Sequence, residues 1–137
     1  MRRRAALAAF AAAPATLLAA CMSPQERAEL ASLPVHLIFF ADDSVAVGPR
    51  AQTVIQDAAN IATQHPNARV RVLGFVAPDP GQAPLVALSR ARAEAVANEL
   101  QRLGVAATRI RVEGRGAAPF SGPEAAIEAR RVEIHIG

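Results

Sequence analysis

The side chains able to do chemistry in this chain are few, and their spacing excludes most of what they could do. His36, His65 and His135 are far apart in sequence, on a strand, at a helix end and on a strand. No second histidine or carboxylate stands beside any of them at ligand spacing, so no metal site is expected. Ser89 has no histidine base placed next to it and is not a nucleophile candidate. Asp42-Asp43-Ser44 could suggest cation binding, but the simpler role is a polar turn. Gly114-Arg115-Gly116 lacks the length and the following helix of a phosphate loop. With no constellation of nucleophile, base or metal, the chain is not expected to be an enzyme or to carry a cofactor. Two features remain. One is Asp79, a single carboxylate in the loop GFVAPDPG at residues 74–81, its backbone stiffened by Pro78 and Pro80. The other is Cys21, the only cysteine.

Cys21 follows a basic start, Met1-Arg2-Arg3-Arg4, and an alanine-rich apolar run from Ala5 to Ala20. That run is shorter and less apolar than the ~20 residues of a membrane span, so residues 1–20 read as a cleaved secretory signal. The segment Leu18-Ala19-Ala20-Cys21 resembles the lipobox of bacterial lipoproteins, which implies that Cys21 becomes the lipidated first residue of the mature chain. The other reading is a stray thiol after an ordinary cleavage site. A lone cysteine makes no internal disulfide, which suits lipid attachment in an exported chain. Met22 stands where lipoproteins kept at the inner membrane often have Asp, so the resemblance implies the outer membrane, with the domain facing the periplasm. Of 15 basic residues, three belong to the signal, leaving 12 against 12 acidic ones. A near-neutral exported domain is not expected to bind nucleic acid.

The elements that must position these residues follow from periodicity. Residues 21–34 are polar, carry Pro24 and Pro34, and read as a short tether with a helical turn or two in PQERAELAS. PVHLIFF is apolar on both alternating sets, the pattern of a central strand covered on both sides. Pro49 to His65 is a helix with Ala51, Val54, Ile55, Ala58, Ile61 and Ala62 on one face, stopped by Pro66. RVRVLGF alternates as a half-buried strand. Pro84 to Leu103 is a second helix with an inner stripe of Leu85, Ser89, Ala93, Val96, Leu100 and Leu103, closed by Gly104. RIRVEG and RRVEIHI are two more alternating strands. Three of four strands are polar on one side, so helices are expected to cover one face of the sheet only. The expected fold is an α+β two-layer sandwich: a mixed four-stranded sheet, β-α-β-α-β-β, with two main helices on one face. The open face would carry Arg69, Arg71, Arg109, Arg111 and Arg131 with Glu113 and Glu133 as cross-strand ion pairs. Phe75 is its one expected aromatic, too little for a base-stacking RNA surface.

In this order of elements the sequence resembles the C-terminal peptidoglycan-associated domain of OmpA and the Pal lipoproteins, over about residues 35–136 and so across the domain assigned to 35–137. The most specific piece is LSRARAEAV, which fits Leu-Ser-x-x-Arg-Ala-x-x-Val at Leu88, Ser89, Arg92, Ala93 and Val96. Gly104-Val105, Arg109-Ile110, Gly114, Gly116, Pro119 and the run Arg130 to Ile134 follow in family order. The resemblance implies non-covalent binding of the diaminopimelate in peptidoglycan stem peptides. An arginine, here Arg92, faces a ligand carboxylate, and an aspartate in the loop before its helix faces a ligand amine. The aspartate position is Ala77 here, with Asp79 two residues on as the substitute. Two family asparagines are replaced by Leu85 and Ala129. From the residues alone, Arg92 also reads as an exposed helix residue paired with Glu94 or Glu99. Two functions are therefore expected in competition. One is an outer-membrane lipoprotein that tethers the envelope to the wall. The other is a degenerate OmpA-like domain that docks another envelope protein and binds little or no peptidoglycan.

Overall fold

The structure, a computed structural model, describes residues 21–41, 44–77, 85–118 and 129–137. The elements are α1 (Pro24–Ser32), β1 (His36–Phe39), α2 (Pro49–Gln64), β2 (Val70–Val76), α3 (Leu85–Arg102), a 3-10 turn (Ala107–Arg109), β3 (Ile110–Ala117) and β4 (Arg131–Ile136). Sheet order is β1-β4-β2-β3. β2 and β3 are parallel, and β4 inserts antiparallel between β1 and β2. The α+β mixed sheet expected from the sequence is thus formed, with α2 and α3 on one face.

The core is the apolar stripe of each helix against the inward set of each strand. Ile55, Ala58 and Ala62 of α2 and Ala93, Val96 and Leu100 of α3 meet Ile38, Val70, Val72, Val132 and Ile134, all buried. Pro49 starts α2 at its first turn. α3 ends in a Schellman motif: the Val105 N–H donates to the Leu100 carbonyl at 3.0 Å and the Gly104 N–H to that of Gln101 at 3.0 Å. Gly104 takes the positive φ of 100° that the motif requires. α1, in the segment read as a short tether with a helical turn or two, packs on the domain: Ser23 caps it, Leu30 is buried, and Glu26 meets His65 at 3.0 Å.

Three expectations need correction. β1 is an edge strand, and its outer residues Leu37 and Phe39 are 41% and 50% exposed. An uncovered apolar edge gives the same run of letters as a strand covered on both sides, and it puts a second aromatic, Phe39, on the open face. Among the described residues, the ion pairs of that face run along strands rather than across them. Glu113 bonds Arg111 and Arg115, and Glu133 bonds Arg131 and His135. The register explains this, because Arg71 faces Arg111 and Leu73 faces both glutamates. Arg109 belongs to no such pair. It precedes β3 in the 3-10 turn, and its fork donates to the carbonyls of Ala62, His65 and Ala68 at 2.8, 2.7 and 2.9 Å. Two of these lie at the C-terminus of α2, where a cation is favoured. Burial lowers the Arg109 pKa without removing its charge.

Candidate functional site

β1, β2 and β3 point the same way and β4 points back, so the segments after the first three and before the last gather at one end of the sheet. Here lie residues 41 and 44, Ala77, Ala118 and Ala129. α3 leaves from this end, and its first turns supply the chemistry. Asp79, Asp42, Asp43 and Pro119 lie outside the described residues.

Arg92 is not on the solvent side of α3. It is 1% exposed, its Nε donates to the Ser44 carbonyl at 2.9 Å, and its Nη2 donates to the Ala41 carbonyl at 3.1 Å. The guanidinium carbon stands 5.4 Å from the centroid of the Phe40 ring, a cation–π distance. The pairing with Glu94 or Glu99 is overturned: Glu94 bonds Arg90 and Glu99 bonds Arg102. Residues 85, 89, 92, 96 and 100 fall on one stripe at helical period. That spacing was the signal, available in the sequence, that Arg92 points inward.

Ser89 is fully buried. Its Oγ donates to the Val86 carbonyl at 2.7 Å and accepts from the Gly116 N–H at 2.9 Å. Gly116 has φ 72°, a conformation that disfavours a side chain, and its own N–H ties the end of β3 to α3. Gly74 and Gly114 sit side by side across β2 and β3. A Cβ on Gly74 would strike the Ser89 carbonyl oxygen, and one on Gly114 would stand 2.9 Å from the Val86 carbonyl oxygen. The two glycines make a flat seat on which the helix backbone rests.

The positions at which the family pattern is polar are apolar in this chain. Ala77 follows β2 half-buried, Leu85 opens α3 half-buried, and Ala129 is 0% exposed beside the start of β4. Arg130 and Phe40 close the same end: the Phe40 N–H donates to the Arg130 carbonyl at 2.9 Å, and the Arg130 Nε donates to the Phe40 carbonyl at 3.4 Å. The structure therefore brings Arg92, Phe40 and the 129–130 segment together, with Ala77 at the same sheet end. Sequence reasoning missed Phe40, whose ring stands by the Arg92 guanidinium. No group of three or more potential metal-ligating side chains occurs among the described residues.

Comparison with known proteins agrees with this arrangement. The OmpA family model matches residues 39–132. The probable lipoprotein YiaD of Escherichia coli is 33% identical over 103 residues, 72% of this chain and 47% of that protein. The chain thus spans about half the length of the curated relative it matches. The peptidoglycan-associated lipoprotein of Burkholderia pseudomallei superposes with a TM-score of 0.68 at 24% identity, covering 74% of this chain and 90% of that one. The periplasmic domain of Helicobacter pylori MotB gives 0.62 at 24% identity, covering 73% and 69%. The seat of glycines, the inward Arg92 and the start of the inserted β4 fall within the matched span, and this chain belongs to the OmpA family.

Proposed function

We propose that the protein is an outer-membrane lipoprotein, attached through Cys21, whose OmpA-family domain associates non-covalently with peptidoglycan from the periplasmic side. The observation that carries this reading is Arg92, held by the Ala41 and Ser44 carbonyls at the sheet end where β1 and β2 finish. A fixed guanidinium suits the carboxylate of a diaminopimelate-bearing peptide. Asp79 is the residue of this chain assigned to the ligand amine in place of Ala77. The lipoprotein relative and the likeness to a peptidoglycan-associated lipoprotein support the assignment. Cys21 is exposed and three residues from the start of α1, so the folded domain sits within about 10 Å of its attachment point. No helix among the described residues is long and apolar enough to cross a membrane.

A second reading has its own observation. Ala77, Leu85 and Ala129 leave the site poor in polar partners, and missing one partner of a ligand charge pair costs about 2 to 5 kcal/mol. In that reading the domain docks another envelope protein instead. Co-sedimentation of the chain from Cys21 with purified sacculi separates the two. Pelleting that Asp79→Ala abolishes supports wall binding through this loop. Protein left in the supernatant refutes it and favours the docking module.

A further inference from the structure

The uncovered sheet face carries charges that the site above does not use. Arg71 on β2 stands opposite Arg111 on β3, and opposite His135 on its other side. Arg71 and Arg111, with Arg69, Arg109 and Arg115, border a cleft of about 680 Å³ whose lining holds one carboxylate, Glu113. Both Glu113 oxygens are engaged, one with Arg111 at 3.3 Å and one with Arg115 at 2.8 Å. Arg109 is fixed on α2, and no ion pair to Arg69 or Arg71 occurs among the described residues. Like charges directly opposite destabilise a sheet, so this row lowers stability until an anion lies over it. Guanidinium forks match phosphate oxygens in geometry as well as charge.

The same face is apolar along its other edge, where Val35, Leu37 and Phe39 are 41%, 41% and 50% exposed. A cationic field beside exposed apolar side chains is the composition of a surface that binds the membrane interface. The connection to the chain's start fits. Glu26 of α1 bonds His65, and the His65 carbonyl accepts from Arg109 at the border of the cleft. Cys21 is five residues before Glu26, within about 18 Å even if extended.

We propose that this face docks on anionic phospholipid headgroups, with Arg69, Arg71, Arg111 and Arg115 on the lipid phosphates and Leu37 and Phe39 against the interface. It rests on the reading of Cys21 as the anchor only for what brings the face to a bilayer. The domain would then lie sheet-down, its ligand end to the side.

The chain from residue 21 contains every described core residue and is used as Cys21→Ser, so that no acyl chain contributes. Co-sedimentation compares vesicles of phosphatidylcholine alone with vesicles also containing phosphatidylglycerol. Binding to the anionic vesicles alone, lost in high salt, is expected. Arg71→Gln/Arg111→Gln should weaken it about 30-fold, each charge at the surface being worth roughly fivefold. The same variant should melt no lower than its parent, because the repulsion across β2 and β3 is removed. Failure to bind anionic vesicles, or a double variant that binds as well as its parent, overturns the proposal. Capture by soluble polyphosphate but not by vesicles also overturns it, in favour of an anionic polymer. Sacculi and Arg92 play no part in this assay, so its failure leaves the wall-binding reading standing, and the reverse holds.

Discussion

Replacing Arg92 tests whether this side chain is first a structural pin. Among the described residues its guanidinium donates charge-assisted hydrogen bonds to the Ala41 and Ser44 carbonyls and stands by the Phe40 ring. Each such bond contributes about 1.5 to 3 kcal/mol, and the ring contact about 0.5 to 2. These do not simply add, because the buried charge is itself costly to desolvate. Arg92→Ala leaves the two carbonyls without their donor and a cavity beside Phe40, for which we expect a loss of about 3 to 5 kcal/mol. Arg92→Lys keeps the charge but cannot form the fork, and should lose about half as much. Against a typical total of about 5 to 15 kcal/mol, the alanine variant stands near the limit of folding. Urea unfolding followed by circular dichroism at 222 nm reads both, with an unchanged slope as the sign that the unfolded state is unaltered. An Arg92→Ala midpoint matching a loss of less than about 1 kcal/mol would refute the pinning role and return Arg92 to the surface chemistry of a free binding residue. Wall-binding assays on Arg92 variants therefore need this unfolding curve beside them.

Two further outcomes follow from the same packing. Gly74→Ala drives a Cβ into the Ser89 carbonyl and should cost about 3 kcal/mol as α3 lifts from the sheet, whereas Gly48→Ala, with nothing within 4 Å, should cost under about 1; equal urea midpoints would refute the seat. Acid should destabilise the fold in two stages. Burial pushes His36 down, only partly offset by Asp57, so the unfolded chain takes its proton first and stability declines below about pH 6.5. Burial alone would raise Glu133, but its bonds with His135 and Arg131 outweigh this and hold the carboxyl low. Its contribution is present above the unfolded value and is lost as pH falls through the folded one, below about pH 4.5. Urea midpoints against pH check this, with Glu133→Gln removing the lower stage; a flat profile would refute it.

Legibility in the sequence tracked how local the cause of each feature was. β2 and β4 were plain because alternation reports one buried face, and α2 and α3 because a 3.6-residue stripe lies between a proline and a stop. β1 was misplaced because its apolar outer set, Leu37 and Phe39, is a fact about what fails to cover it. Arg109 was misread because it satisfies carbonyls more than 40 residues away, for which periodicity carries no signal. For Arg92 the helical stripe did carry the inward direction, but not the carbonyls it meets there. The cross-strand ion pairs failed on register: sheet order places Arg71 opposite Arg111, which composition alone cannot show.

The Leu-Ser-x-x-Arg-Ala motif reads differently once its contacts are known. Ser89 holds the Gly116 N–H at the end of β3, Arg92 holds both ends of the 41–44 segment after β1, and Ala93 lies against Gly74 of β2. One stretch of helix thus fixes the approach of three strands to the site. Each contact is structural, so each would persist whatever occupies the pocket. That explains how a chain can match the motif at every packing position while carrying Ala77, Leu85 and Ala129 where polar groups are expected. Ala129, fully buried, could not become asparagine without a partner for each amide group, since an unsatisfied buried amide costs about 1 to 3 kcal/mol. Apolar residues where the family pattern is polar and retention of the motif are therefore compatible, and the motif reports the architecture of this sheet end rather than an affinity. In the wall-binding reading proposed above, affinity rests on the loop side chains rather than on the motif, and Asp79 is the one to test.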